Sequence, residues 1–260
     1  MKVIFDSNVW QIIAIPNDPQ YVNEPLLSEF KKIRQAIIEG KIEAYLSETI
    51  FTLEAIKKVE RQDFFSSRKP KIDFKEKVVG NTINTGITIG PEKGIDFNER
   101  PILKKYFEEA IALGFRIISL PRIGGMVNEE IEDVRYKLEN GEFSKYFDIA
   151  CEVSNRIEGN GAGMSQIEEI GKAYNPTKWL KGLKKAPPTE YKKIGKAVAE
   201  WADGDSVAIC IGLECDYFCT RDQAKGAGNK SVLSFDNLEW LKRDYGFETI
   251  LPEKLATICG

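Results

Sequence analysis

Four acids, Asp6, Glu54, Asp205 and Asp222, stand where carboxylates can converge on one place. Asp6 closes the apolar run Lys2-Val3-Ile4-Phe5, and Asp222 follows Tyr217-Phe218-Cys219-Thr220-Arg221. Glu54 falls in an amphipathic stretch after Ser47, and Asp205 stands before Val207-Ala208-Ile209. Carboxylates gathered in a cleft repel one another, and such a cluster is usually kept because a cation neutralises it. Magnesium and manganese prefer oxygen ligands, and a pair of them stabilises the attacking and leaving oxygens of phosphodiester cleavage. The chemistry these residues suggest is metal-dependent hydrolysis. Two rivals stay open: Glu48 for Glu54, and Asp203 for Asp205.

The 260-residue chain has no histidine. That removes Ser-His-Asp and Cys-His catalysis, histidine bases and histidine-ligated zinc or iron. The five cysteines show no disulfide framework. Cys215 and Cys219 have no second pair at zinc-site spacing, so reduced, buried thiols are expected. Gly159-Asn-Gly-Ala-Gly163 lacks the Gly-Lys-Ser/Thr of a phosphate loop and reads as a connector.

The acids need elements to hold them. Lys2–Phe5, Ile42–Leu46, Phe115–Leu120 and Asp216–Thr220 read as short buried strands. Leu26 to Ile38 recurs at helical spacing and stops at Gly40. Ser47 is placed to cap a helix through Val59. Helices are also predicted over Ile102–Leu113, Val127–Leu138, Phe143–Arg156, Ile194–Trp201 and Leu238–Tyr245. Asp203-Gly204-Asp205 reads as a turn, with Asp205 or Ser206 capping a separate helix, Val207–Leu213. Ser231–Phe235 reads as a further strand, Asn81–Pro91 as a loop or small hairpin, and Pro187-Pro188 as a break. Strands alternating with amphipathic helices predict an α/β fold with a mainly parallel sheet. Ligands of such sheets sit at the carboxyl ends of strands, where Asp6 and Asp222 fall.

The motifs carry a resemblance. Val3-Ile4-Phe5-Asp6-Ser7-Asn8-Val9 is similar to the opening motif of PIN-domain nucleases. Ser47-Glu-Thr-Ile-Phe-Thr-Leu-Glu54-Ala resembles their second block, and Asp205-Ser-Val-Ala-Ile-Cys with Tyr217-Phe-Cys-Thr-Arg-Asp222 resembles their closing blocks. The resemblance implies a Rossmann-like three-layer α/β/α sandwich and magnesium- or manganese-dependent cleavage of RNA. It makes Asp6, Glu54, Asp205 and Asp222 the metal-binding and catalytic acids, with Asn8 and Thr220 supporting the site from its edge; Asp203, the rival to Asp205, is kept beside them as a supporting residue. Many members are toxins of toxin–antitoxin pairs, and others process RNA. An antitoxin or other protein partner and a homodimer are therefore in keeping with the family. The resemblance covers about residues 1–61 and 198–260. Residues 62–197 depart from the compact pattern and read as a largely helical insertion within one PIN-like domain.

Net charge is −3, which by itself gives no reason to expect nucleic acid. Charge is nonetheless segregated: residues 178–196 hold seven lysines against one acid, Glu190. Lys184, Lys185, Lys192 and Lys193 are the candidate RNA contacts, with Trp179 and Tyr191 as aromatic neighbours. No apolar stretch reaches membrane-spanning length, and no secretory signal precedes Asp6, so a cytoplasmic protein is expected. Two rival functions stay open. One is a catalytically inactive PIN-like module that binds RNA or protein. The other is an aspartyl phosphatase, disfavoured because Asn8 stands where its second Asp belongs.

Overall fold

The structure is a computed structural model that describes residues 1–56, 59–63, 70–79, 82–91, 101–120, 129–222 and 230–260. For Phe51, Glu54, Ala55 and residues 70–79 and 82–91, among others, it describes the backbone alone. In chain order the elements are β1 (Lys2–Phe5), α1 (Ser7–Ala14), α2 (Leu27–Ile38), β2 (Glu43–Ser47), α3 (Glu48–Ala55), β3 (Pro70–Val79) and β4 (Thr82–Pro91). Then follow α4 (Pro101–Leu113), β5 (Arg116–Ile118), α5 (Asn140–Gly159), α6 (Met164–Tyr174), α7 (Trp179–Lys185) and α8 (Tyr191–Gly212). The chain ends with β6 (Tyr217–Cys219), α9 (Phe235–Tyr245), β7 (Thr249–Ile250) and α10 (Pro252–Cys259).

Five strands form one parallel sheet in the order β5-β2-β1-β6-β7. Its two faces follow from the period-2 alternation of strand side chains. Val3, Phe5, Ala44, Leu46, Ile117, Cys219 and Ile250 enter one buried core, packed by α1–α4, α10 and the first half of α8. Ile4, Tyr45, Ile118 and Phe218 enter a second core with α5, α9 and the last part of α8. The strands are apolar on both faces because helices cover both. The chain winds outward from β1 in both directions, so the crevice beside β1 and β6 lies where strand order reverses. In α/β sheets this is the usual place for a ligand. Strands β3 and β4 form a separate two-stranded antiparallel hairpin.

The sequence expectations meet three corrections. Residues 191–212 form one continuous helix, so Asp203-Gly204-Asp205 is neither a turn nor a cap. The segment is buried on nearly every side from Gly204 to Cys210, and burial of a whole helical turn outweighs the local turn preference of Asp and Gly. Within Val127–Leu138, the described part is a 3-10 turn over Glu129–Val134 followed by a bridge of Arg135 to Ile117, not an α-helix; residues 121–128 lie outside the described residues. Ser231–Phe235 is not a strand: Ser234 caps α9 by accepting from Asn237 N, and Gly246 ends that helix in the left-handed conformation. Within the 62–197 segment, helices α4–α7 are joined by the β3–β4 hairpin, and β5 is an edge strand of the main sheet, paired with β2.

Helices α6 and α7 pack backbone to backbone. A Cβ on Gly182 would lie 1.9 Å from the Gly171 carbonyl oxygen, and one on Gly171 would lie 2.3 Å from the Trp179 carbonyl oxygen. Gly182→Ala therefore forces the helices apart. Overpacking of this kind costs about 1–3 kcal/mol, and each kcal/mol lowers the melting temperature of a chain this size by about 2–4 °C. Thermal unfolding followed by circular dichroism checks this; an unchanged midpoint would refute the close contact.

Candidate active site

The site begins where β1 ends. The β1 backbone hands over directly to α1, because Asp6 has extended φ/ψ and its side chain accepts from Ser7 N at 2.6 Å. This N-cap fixes one carboxylate oxygen, Oδ1. The other, Oδ2, accepts from Thr220 Oγ1 at 2.6 Å and from Asn8 Nδ2 at 2.8 Å. Thr220 is held in turn by its own backbone N–H to the Ile250 carbonyl at 3.1 Å. Its Oγ1 accepts from Asp222 N at 3.0 Å, and Asn8 Oδ1 accepts from Arg221 N at 3.1 Å. Asn8 and Thr220 thus tie the ends of β1 and β6 together.

The acids fall into two groups. Asp6 is 4% exposed; burial raises its carboxyl above the ordinary range against the lowering hydrogen bonds from Thr220 and Ser7, and Asp222 raises it further. Asp203, on α8, is half-buried. Burial first, then the charges of Asp6, Glu200 and Asp222, push its carboxyl well above the ordinary range. Asp6, Asp203 and Asp222 are therefore in electrostatic reach of one another, with Glu200 one helical turn behind Asp203. Asp222 itself is exposed.

Asp205 belongs to the other group. Two residues along a helix turn it by about 200° away from Asp203. It is fully buried, and its Oδ2 accepts from Thr49 Oγ1 at 2.9 Å. That bond ties α8 to the first turn of α3. Glu48 is fully buried as well, gripped by Arg135 through Nε at 2.8 Å and Nη2 at 2.9 Å. Asp203 thus lies within electrostatic reach of Asp6 and Asp222, Asp205 holds Thr49, and Glu48 has Arg135 as its partner. Glu54 lies on α3, but its side chain is outside the described residues.

The sequence carried a usable signal for Asp203. In one continuous helix the buried apolar residues Val198, Trp201 and Ala202 share the side of position 205, whereas position 203 falls on the opposite side. Reading a turn there hid that periodicity.

The donor set suits a hard cation: oxygens only, no histidine, and carboxylates whose mutual repulsion an ion would relieve. Among the described residues, no three acidic or cysteine side chains converge into a ready-made cage. Magnesium usually keeps several waters and takes only one or two carboxylates, so Asp6 and Asp203, with Asp222 beside them, fit a hydrated ion better than a closed one. Arg221 is committed elsewhere, with both terminal nitrogens on Glu24 at 3.0 Å. The lysines Lys184, Lys185, Lys192 and Lys193 are all exposed, the first two on α7 and the others on α8. Among the described residues, no helix is long and apolar enough to cross a membrane.

No protein-family model, curated protein or solved structure matches the chain.

Proposed function

We propose that this protein is a PIN-type nuclease that hydrolyses RNA phosphodiesters with bound magnesium or manganese. The observation that carries the reading is the Asp6 carboxylate held at the carboxyl end of β1 by Ser7 N, Asn8 and Thr220, with Asp222 presented from the end of β6 and Asp203 close enough to feel both charges. Asp6 and Asp203 would hold the ion, with Asp222 at its rim, and the resemblance adds Glu54 as a further acid. Bound there, a divalent ion supplies Lewis-acid stabilisation of the charge that develops at the phosphate. The chain's part is positioning: Ser7 N, Asn8 and Thr220 fix the Asp6 carboxylate, and Thr220 restrains the backbone that presents Asp222. Toxin activity with an antitoxin, a homodimer and a role in RNA processing remain readings of the resemblance.

A second reading, an inactive PIN-like module that binds RNA or protein, is favoured by the lack of a converged three-acid cage among the described residues. One experiment separates the two. Purified protein is incubated with labelled single-stranded RNA in manganese or in EDTA, beside Asp6→Asn and Asp203→Asn, while manganese binding is followed by calorimetry. The nuclease reading expects cleavage with manganese alone, and a loss of at least about 100-fold in each variant, the size typical of removing one electrostatic stabiliser. Manganese binding without cleavage, or no manganese binding, would favour the module.

A further inference from the structure

We propose that the exposed face of α8 leading away from Asp203 is the track on which a single-stranded polynucleotide lies, with Lys192 and Lys196 as its phosphate contacts. The argument is one of helical phase. At about 100° per residue, positions 196 and 192 lie within about 20° of the direction of Asp203, on either side of it. Lys193 is turned about 80° away and pairs with Glu190 at 4.0 Å. The stripe is open to solvent where it must be: Lys192, Lys196 and Ala199 are exposed, and Glu200 and Asp203 are half-buried. The other faces of the same turns are closed, with Ile194, Ala197, Val198, Trp201 and Ala202 in the core. With a rise of about 1.5 Å per residue, the ammonium-bearing positions begin about 10 Å and 16 Å from Asp203 along the helix.

This arrangement sorts the lysines by what they face. Lys184 and Lys185 sit on α7, on the other side of the Pro187-Pro188 break, and are not part of this stripe. Lys196, by contrast, comes nearest the acids. A single file of lysines one helix wide suits one strand rather than a duplex. Tyr191 is turned about 120° from Asp203 and lies off this stripe, with the Lys192 ammonium 5.9 Å from its ring centroid. Glu200 and Asp203 repel phosphate, so the strand is gripped at the lysines and meets the acids only where a cation offsets them. The inference rests on the nuclease reading only for what happens at that acidic end; the grip itself needs no metal.

The test measures binding in EDTA, where cleavage cannot occur. Fluorescence anisotropy with a labelled single-stranded RNA of mixed sequence, repeated with single-stranded DNA and with duplex, is run on the wild type, on Lys192→Gln/Lys196→Gln and on a Lys254→Gln control. Each phosphate contact on a single strand contributes about −0.7 to the slope of log K against log salt, or about fivefold in affinity near 0.1 M salt. The double variant is expected to bind on the order of 25-fold more weakly, with a salt slope shallower by about 1.4, while the control matches the wild type. Unchanged affinity and slope in the double variant, or tighter binding of duplex than of single strand, would overturn the track. Normal manganese-dependent cleavage by a variant with unchanged binding would reject the track and keep the nuclease reading. Weakened binding in a protein that never cleaves would do the reverse.

Discussion

Asp203→Asn is expected to raise the melting temperature of the metal-free protein while abolishing manganese-dependent cleavage, and Asp205→Ala is expected to lower it. The two positions are two residues apart, yet their carboxylates do opposite things. The Asp203 charge is disfavoured by burial and by Asp6, Glu200 and Asp222, so a neutral amide of the same shape relieves the fold. The gain is expected at about 2–4 °C per kcal/mol of repulsion removed. At position 205, truncation leaves the buried Thr49 hydroxyl without the acceptor it now has at 2.9 Å. Hydrogen bonds to charged groups contribute about 1.5–3 kcal/mol, a fall of several degrees. Differential scanning fluorimetry with and without manganese, beside the cleavage assay, reads both. Cleavage retained by Asp203→Asn and lost in a thermally unaltered Asp205→Ala would exchange the two roles.

Arg135→Met is expected to be the most destabilising exchange of a charged residue. Glu48 is buried, and its side chain is 1% exposed against 18% for Arg135. Removing the guanidinium takes two hydrogen bonds from an almost fully buried carboxylate. Breaking a buried pair in this way costs about 3–5 kcal/mol, here roughly 6–20 °C. Replacing both partners, Glu48→Leu with Arg135→Met, is expected to recover most of that loss, because no buried charge is left behind. Urea unfolding of the wild type, both single variants and the double variant closes the cycle. A double variant as unstable as the sum of the singles would show that the pair does not act as a unit.

Much of the site's frame was legible in the sequence, and the reason is local. β1, β2 and β6 are short apolar runs that end in a polar residue, and Asp6 is both the end of a strand and the cap of a helix, so pattern and chemistry coincide. The misreadings lie where distant packing overrides a local signal. Asp203-Gly204-Asp205 has the composition of a turn, but α5, Val232 and the sheet enclose it, and the enclosed conformation is a helix. Val232 and Leu233 are apolar, and Val232 is β-branched, which suggests a strand, yet they are buried as the lead-in to α9. β7 is two residues long and shows no alternation to read; its identity comes from pairing with Phe218 and Cys219. The Glu48–Arg135 pair joins residues 87 apart in the chain, and no spacing rule reaches that far.

The sheet's borders are three residues long at β5 and two at β7, and at β5 the Arg135 bridge and the Tyr136 N–H to the Ile117 carbonyl already occupy part of the border. So little unpaired backbone gives a second chain almost no template for strand addition. Among the described residues the long strand borders belong to the β3–β4 hairpin, ten residues on each strand, so a mate that adds by strand pairing meets the hairpin and not the main sheet.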